Sequence, residues 1–295
     1  MHSNRVRPAV PIVSCLVLAA LFLAGPSAAR GQTVFSIKLC GGLNSLSGGE
    51  LNDGLQGRMD FMSDFGAWLG YSARGAFVPV GAAYSAEGDI IFDLTPFLAV
   101  GLGVGYIENR EARTEIVLSH PVLPQATLRE NPKVTAVPLR ASLYVSFRLS
   151  RTLNLMIQAG GAYYLTKLSS IYRLEEGDEW EQTEISASGG GLGFHGGLGL
   201  EVRLASNLSF ILEGTGRYVK VGDFTGTTTD MNSYGMGDTE EGDLYYFVFD
   251  TPPLGSYPTL TVSDTEPSGY GIRDVRRAKV DLSGFTVQAG LLVKF

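Results

Sequence analysis

The sequence predicts an all-β fold, namely an eight-stranded antiparallel up-and-down transmembrane β-barrel, on three observations. Eight segments alternate apolar residues with small or polar ones at a period of two. Short and long connections alternate between these segments, and aromatic residues recur eight to ten positions apart on the apolar faces. This combination is typical of strands that cross a bilayer rather than of a soluble sheet.

Each of the eight segments is long enough to cross a bilayer as a tilted strand. They span residues 33–45, 80–94, 97–109, 134–150, 153–168, 191–204, 208–222 and 279–295. The tight connections are 95–96, 151–152 and 205–207, and the long ones are 46–79, 110–133, 169–190 and 223–278. Short turns on one side and long loops on the other are the layout of outer-membrane barrels, with both termini on the short-turn side.

The two faces of these segments differ in character. In the third segment, Leu98, Val100 and Leu102 alternate with Ala99 and Gly101. We interpret the apolar face as facing lipid; the alternative is a secreted soluble barrel or sandwich with its apolar face inward. The lipid interpretation is favoured by ring pairs eight to ten residues apart, which span roughly 19–24 Å in a tilted strand. These pairs are Tyr84 and Phe92, Phe210 and Tyr218, and Phe285 and Phe295.

Residues 1–31 have the three-part pattern of a secretory signal peptide, and residues 32–295 form the predicted barrel domain. An uncleaved membrane anchor is the alternative. Removing the signal peptide leaves 20 of the 23 Lys and Arg residues against 30 Asp and Glu residues. This acidic balance argues against nucleic acid as a partner. Cys40 is then a lone cysteine, which we expect to be a small buried residue.

Charged residues of both signs fall on the predicted inward faces. Because an eight-stranded barrel is just wide enough for its own side chains, these charges must be paired. We therefore expect a structural salt-bridge network in the lumen, with a narrow ion or proton path as the alternative. The expected network comprises Lys38, Glu87, Asp89, Arg140, Arg148, Glu201, Arg203, Glu213 and Arg217.

Two weaker patterns could carry chemistry. His195 is the only histidine on a predicted strand, and Ser186 and Ser188 lie nearby as candidate nucleophiles of a catalytic triad. We nevertheless expect a lumen hydrogen bond at His195. In residues 230–241, Asp230, Asn232 and Glu241 are weak candidates for binding Ca²⁺, although Tyr234 occupies a ligand position of an EF-hand loop. We expect no metal site and no cofactor.

The long connections contain further predicted elements. Leu51, Leu55, Met59, Met62, Phe65 and Leu69 recur at helical spacing, which predicts a short amphipathic helix in loop 1. Residues 244–250 and 257–263 in loop 4 are interpreted as a hairpin above the barrel. A ten-stranded barrel that includes this hairpin is the architectural alternative.

Together the signal peptide, the eight segments and the ending FTVQAGLLVKF resemble the small outer-membrane β-barrel family of OmpA/OmpX-like proteins. The resemblance implies a Gram-negative outer membrane, contact with its lipid, and recognition of the last strand by the barrel assembly machinery. In that family the last strand carries alternate apolar residues and a final Phe. The corresponding assembly signal here is Phe285, Val287, Ala289, Leu291, Val293 and Phe295.

The expected function is therefore that of an integral outer-membrane protein and not an enzyme. We expect a structural or surface-interaction role through long acidic extracellular loops, with a loop partner that the sequence leaves open. One alternative is a porin-like narrow channel for small solutes or apolar molecules. A second is a lipid-modifying barrel enzyme that uses His195.

Overall fold

The computed structural model describes residues 35–295, so the predicted signal peptide at 1–31 lies outside the described residues. The described chain contains one helix and fifteen strands. These are β1 (Phe35–Ser45), β2 (Gly48–Gly49), α1 (Glu50–Trp68), β3 (Ser72–Ala76), β4 (Ala82–Asp93), β5 (Leu98–Asn109), β6 (Thr114–Ser119), β7 (Ala126–Arg148), β8 (Leu153–Glu176), β9 (Glu179–Arg203), β10 (Leu208–Asn232), β11 (Gly237–Thr251), β12 (Gly255–Ser263), β13 (Ile272–Arg277), β14 (Val280–Asp281) and β15 (Gly284–Lys294).

Eight of these strands form a closed ring in which every neighbouring pair is antiparallel. Its order is β1, β4, β5, β7, β8, β9, β10, β15 and back to β1. The prediction of an all-β antiparallel chain is therefore confirmed, and each predicted segment supplies one ring strand. We call the interior of the ring the lumen. The end of the ring with the three tight turns is the short-turn end, and the opposite end is the long-loop end.

The ring is apolar outside and polar inside. Large apolar side chains alternate outward along every ring strand; Leu102 is 63% exposed, Leu198 58% and Phe194 71%. The residues between them point inward, and many are polar or charged, such as Lys38 and Gln288. This arrangement inverts that of a soluble protein, in which apolar side chains turn away from the surface.

Four ring strands continue far beyond the ring at the long-loop end. The predicted loop at 169–190 is wrong, because β8 and β9 pair without interruption up to Glu176 and Glu179 and leave only a tight turn. Beyond the segments predicted to cross the membrane, the outward faces of these strands are no longer apolar. A search for alternate apolar residues on an outward face could therefore not identify these extensions. The extensions of β7–β10, together with α1, β3, β6 and β11–β13, form what we call the distal layer.

The predicted helix of loop 1 is confirmed as α1, which packs against β12. Leu51, Leu55 and Met59 are buried at 1–3% exposure. Met62 is partly buried and packs against the cluster that contains Met59. The expected apolar stripe ends there, because Phe65 and Leu69 are exposed and Leu69 lies just beyond the helix. This helix, the one that residues 35–295 contain, does not have the length and apolarity needed to span a membrane.

The predicted hairpin of loop 4 is confirmed as β11 and β12, whose register runs from Asp243 opposite Ser263 to Thr251 opposite Gly255. It joins the distal part of β10, where Asp243 lies opposite Thr225, and it does not enter the ring. Its buried residues Leu244, Val248 and Leu260 share a hydrophobic core with α1 and the distal ends of the ring strands.

Candidate functional site

The lumen is crossed at one level by ion pairs centred on Lys38. The register of β1 and β4 places Lys38 opposite Asp89. The Lys38 ammonium lies 2.9 Å from Asp89 Oδ2, 2.9 Å from Glu213 Oε1 and 3.5 Å from Glu87 Oε1. Lys38 is fully buried. Its single ammonium therefore neutralises carboxylates of two strands, β4 and β10, out of contact with water.

Arg140 supplies the second cation of this level. Its Nη2 lies 2.6 Å from Asp89 Oδ1, and its Nη1 pairs with Glu87. The hydroxyl of Tyr144 donates to Asp89 Oδ2 at 3.0 Å. Three carboxylates therefore share two cations, and neutral donors must provide the remaining hydrogen bonds.

Two glutamines complete the level. Gln158 Nε2 donates to Glu213 Oε1 at 3.2 Å and to Thr215 Oγ1 at 2.9 Å. The Gln288 amide donates to both Glu87 and Glu213. The predicted network contained only charged residues and lacked these two amides and Tyr144, although all three alternate with apolar residues in the same way.

Arg217 forms a separate cluster nearer the long-loop end. Its Nη1 donates to Asn44 Oδ1 at 2.6 Å and to Thr286 Oγ1 at 2.7 Å, and its Nε donates to the Leu282 carbonyl at 2.7 Å. Among residues 35–295 no carboxylate pairs with this guanidinium. Neutral oxygens alone therefore satisfy a charge that is 9% exposed.

The short-turn side of the lumen is filled as well. Glu201 accepts hydrogen bonds from Lys294, from Ser209 Oγ at 2.7 Å and from Asn154 Nδ2 at 2.9 Å. An apolar cluster packs across the interior near this end and consists of Ile91, Ala99, Tyr144, Met156, Ile211 and Leu292. The cavity found within the lumen, beside His195, has a volume of about 30 Å³.

The predicted lumen set therefore separates into three groups. Lys38, Glu87, Asp89, Arg140 and Glu213 come together, while Arg217 and Glu201 occupy levels above and below them. Arg148 and Arg203 do not join any of these contacts. They are exposed, because each is the last residue of its strand at the short-turn end, where the interior opens to solvent.

His195 contacts a serine other than the two expected candidates. Ser142 Oγ lies 2.9 Å from His195 Nε2, whereas Ser186 and Ser188 lie further along β9 towards the long-loop end. His195 Nδ1 has no hydrogen-bond partner among the described residues. A triad needs a group that orients the imidazole and a space for substrate. The adjoining cavity of about 30 Å³ has room for only a few water molecules.

Cys40 is buried and its thiol lies within 4.8 Å of carboxylate oxygens of Glu87 and Glu213. Such a set could in principle hold a soft or borderline metal ion. The Lys38 ammonium, however, already pairs with both carboxylates. A cation therefore occupies this place as part of the protein itself.

The weak Ca²⁺ candidates are spread along a β-hairpin and not around a loop. Asp230 lies opposite Asp238, and Glu241 lies opposite Thr227, in the register of β10 and β11. Asn232 Oδ1 accepts from the backbone N–H groups of Tyr234 and Met236 at the turn. The EF-hand-like spacing thus encodes a turn, and these three side chains do not converge.

A larger cleft lies in the distal layer, between α1 and the sheet of β8–β12, and we call it the distal cleft. Its volume is about 550 Å³, within the range of small-molecule sites. Its aromatic lining comprises Phe61, Tyr172, Phe247, Phe249 and Tyr257.

Arg58 of α1 fixes one side of the distal cleft. Its guanidinium lies 5.2 Å from the centre of the Tyr172 ring, donates to the Leu260 carbonyl at 3.1 Å and pairs with Glu130 Oε1 at 3.4 Å. Asp230 lies on the cleft's lining without a basic partner among the described residues. Asp230 Oδ1 accepts a hydrogen bond from Thr183 Oγ1 at 2.6 Å. The cleft therefore combines aromatic faces with one neutralised cation and one carboxylate that no cation neutralises.

Five of the six residues of the expected assembly signal lie on the outward face of β15, and the sixth, Phe295, directly follows the strand. Phe285, Val287, Leu291 and Phe295 are 41–52% exposed. Phe295 stacks on Phe35 of β1 with ring centroids 4.9 Å apart, and its N–H donates to the Phe35 carbonyl at 3.0 Å. This contact closes the ring at the short-turn end.

No protein-family model and no curated protein matches the chain. The chain is similar to the crystal structure of the outer membrane protein OprG from Pseudomonas aeruginosa, with a TM-score of 0.31 and 9% identity over 90% of this chain and 98% of that one. It is also similar to the outer membrane protease OmpT from Escherichia coli, with a TM-score of 0.25 and 9% identity over 92% of this chain and 100% of that one.

Proposed function

We propose that the chain is an integral outer-membrane β-barrel protein whose eight ring strands cross the bilayer. The inversion of polarity supports this placement, since a closed ring with apolar side chains outside and paired charges inside suits lipid and not water. The distal layer, which carries the long connections, then lies outside the cell.

We further propose that the barrel displays a binding site at the cell surface and does not conduct solutes. The observation that carries this proposal is the contrast between the two cavities, about 30 Å³ in the lumen against about 550 Å³ in the distal cleft. A channel would require the level of Lys38 and Arg140 to open, which would separate buried ion pairs at a cost of several kcal/mol.

A catalytic role for His195 is not favoured by the geometry. Its pair with Ser142 is sealed in the lumen, and no oriented acid completes it among the described residues. We propose that Ser142 and His195 hold β7 and β9 together through a lumen hydrogen bond. The lipids of the outer membrane should then be unchanged by His195→Ala.

The proposed orientation, with the distal layer outside the cell, can be tested by labelling whole cells with a membrane-impermeant maleimide. Tyr270→Cys places a thiol in the distal layer at a position that is 92% exposed, and Arg151→Cys places one at the short-turn end. The native thiol of Cys40 is buried and should remain unlabelled. We expect Tyr270→Cys to react in intact cells and Arg151→Cys only after lysis. The reverse pattern would place the distal layer in the periplasm.

The binding role can be tested with the protein in lipid nanodiscs. Fluorinated benzyl alcohols and benzylamines, followed by ¹⁹F line broadening, should bind the wild type and bind more weakly to Phe249→Ser. Leu198→Ser, an exposed apolar residue on the ring, is the matched control. Equal broadening for wild type and Phe249→Ser, or steady ion conductance of the wild type in planar bilayers, would reject the proposed role.

A further inference from the structure

Two lysines flank a part of β9 that presents almost no side chains. Lys167 of β8 and Lys220 of β10 are exposed on the outward surface, and neither pairs with a carboxylate of residues 35–295. Between them β9 presents Ser188 and the glycines of 189–191. Asp281 lies opposite Lys220 in the register of β10 and β14 but forms no ion pair with it. Two cations without a salt-bridge partner among the described residues thus border a shallow open strip.

The strand register keeps these lysines within reach of one headgroup. Lys167 lies opposite Ser188, and Val219 lies opposite Gly193, so Lys220 follows directly beside Leu192. With strands about 4.8 Å apart and residues about 3.4 Å apart, the two lysine Cα atoms are roughly 16 Å from each other. Because a lysine ammonium sits on a long flexible stem, both can reach a group placed over the glycines.

Tyr163 adds a neutral donor between the two lysines. Its hydroxyl lies over Gly190, where an added Cβ would come within 2.2 Å of the oxygen. Any side chain at this position would therefore displace the ring. The absence of a side chain at Gly190 lets the phenol lie across β9, and Tyr163 remains 44% exposed.

Directly below this strip, towards the middle of the ring, the outward surface has an apolar groove of about 430 Å³. Leu102, Leu139, Leu192 and Phe194 form its walls, and Gly161 leaves its floor open. Tyr163 lines the groove as well, so the groove and the lysine strip share one boundary residue. The groove lies on the face that the proposed function places in hydrocarbon.

We propose that this surface binds one anionic lipid, whose phosphate-bearing headgroup has a net negative charge, drawn from the bilayer leaflet at the long-loop end. The phosphate is held by Lys167, Lys220 and the hydroxyl of Tyr163, and an acyl chain fills the groove over Gly161. Charge complementarity supports this occupant, because the chain carries a formal net charge of −7 and yet presents unpaired cations at this level. The groove can also contact an acyl chain, which a lipid has and a free phosphate ion does not. The inference rests on the membrane placement proposed above.

The experiment uses the full mature chain in phosphatidylcholine nanodiscs titrated with phosphatidylglycerol, with retained lipid counted by native mass spectrometry. Each lysine near an anionic lipid contributes roughly a five-fold factor in affinity. We therefore expect Lys167→Gln combined with Lys220→Gln to weaken phosphatidylglycerol retention about 30-fold. Lys133→Gln is the matched control, since Lys133 is also exposed on the ring's outer surface but is already paired with Glu108 at 2.8 Å.

A second variant tests the groove. A Cβ at Gly161 would meet only the Gly193 carbonyl at 3.7 Å, so Gly161→Leu is sterically allowed and fills the groove. Gly216→Leu, with its nearest contact at 3.9 Å outside the groove, is its control. We expect Gly161→Leu to lower retention and Gly216→Leu to leave it unchanged.

Three results would overturn the inference: equal retention of phosphatidylglycerol and phosphatidylcholine by the wild type, no loss in either test variant, or full displacement of the lipid by inorganic phosphate. A protein that does not enter nanodiscs at all would instead contradict the membrane placement. The two failures are therefore distinguishable.

Discussion

The ammonium of Lys38 and the carboxylate of Asp89 lie 2.9 Å apart on neighbouring strands, and neither side chain is more than 2% exposed. The pair joins β1 to β4 next to the seam where β1 also meets β15. Glu87 and Glu213 share the same ammonium. The first and last strands of the ring therefore meet beside the most charged part of the lumen.

Lys38→Met should destabilise the folded ring strongly. It leaves the buried carboxylates of Asp89 and Glu213 and the partly buried Glu87 with Arg140 as their sole cation, and the loss of one partner from a buried pair costs about 3–5 kcal/mol. Denaturant titration of the protein in lipid vesicles, followed by the change in gel mobility of unheated samples, measures this loss.

The matched control is Lys133→Met, because Lys133 forms an exposed ion pair with Glu108. An exposed pair contributes about 0–1 kcal/mol, so this variant should resemble the wild type. Equal unfolding midpoints for Lys38→Met and Lys133→Met would show that the lumen network does not stabilise the fold.

Glu130 gives the distal layer a pH-dependent stability. Burial raises the pKa of this carboxyl above its ordinary value, and Arg58 and Ser170 only partly oppose the effect. The folded state then holds its proton more tightly than the unfolded state, so stability is greatest below the ordinary pKa and falls as pH rises through the folded pKa. Glu130→Gln should remove this dependence and stabilise the distal layer at neutral pH, where the wild-type carboxyl must lose its proton in a buried site.

Hydrogen exchange of amides in residues 126–134 measures this effect, with amides of the ring strands as an internal reference. Glu175→Gln is a control of opposite sign, because hydrogen bonds from Arg173 and Arg129 lower the pKa of Glu175. The contribution of the Glu175 carboxylate to stability is present in the wild type at neutral pH and is lost as pH falls through the folded pKa. Slower exchange in wild type than in Glu130→Gln at pH 7 would contradict the burial argument.

Gly57→Ala should loosen α1 from β12. An added Cβ at Gly57 would lie 2.1 Å from the Pro258 carbonyl oxygen, which is backbone and cannot turn away. Overpacking of this kind costs about 1–3 kcal/mol. Limited proteolysis of intact cells should then cut within residues 50–68 faster than in wild type.

Gly66→Ala on the same helix is the control, since its Cβ would meet the flexible Leu118 side chain at 3.2 Å. It should be cut at nearly the wild-type rate. Equal cleavage rates for the two variants would show that the close contact between Gly57 and the Pro258 carbonyl does not determine how firmly α1 packs on β12.

The ring strands were predictable because lipid imposes a period of two on each of them, with Leu98, Val100 and Leu102 as an example. The same rule located Lys38, Glu87 and Glu213 on inward faces but could not give their contacts. Those depend on the register between strands and on Gln158 and Gln288, which a search for charged residues passes over.

The distal layer could not be predicted in the same way. The distal part of β9 turns Ile185 and Ala187 inward and polar residues outward, the reverse of the ring, so residues 169–190 lack the outward apolar alternation of a membrane strand. The distal cleft depends on how α1 packs across β12, a contact between residues about 200 positions apart, such as Arg58 and Leu260. Local patterns do not encode such a contact.

Variants of Phe295 can distinguish its contribution to the stability of β15 from its expected role in assembly. The resemblance to small outer-membrane barrels implies that the apolar face of β15, ending at Phe295, is recognised during assembly. Phe295→Ala and Phe35→Ala both remove the stacked pair of these two rings, and Phe35→Ala also removes the tilted contact of Phe35 with Phe92 at 6.5 Å. Loss of an aromatic pair costs about 0.5–1.5 kcal/mol beyond the buried area, so Phe35→Ala should refold into lipid vesicles no better than Phe295→Ala.

In cells the two variants should differ if Phe295 is part of an assembly signal. Phe295→Ala should lower the amount of folded protein in the outer membrane several-fold, whereas Phe35→Ala should lower it only as far as its stability falls. The ratio of folded to total protein, read from unheated gels of membrane fractions, measures this difference. Similar ratios for both variants would show that Phe295 acts only as a stacking partner of Phe35. An assembly signal is recognised on Phe295 itself, so loss of the partner ring in Phe35→Ala could not reproduce its effect.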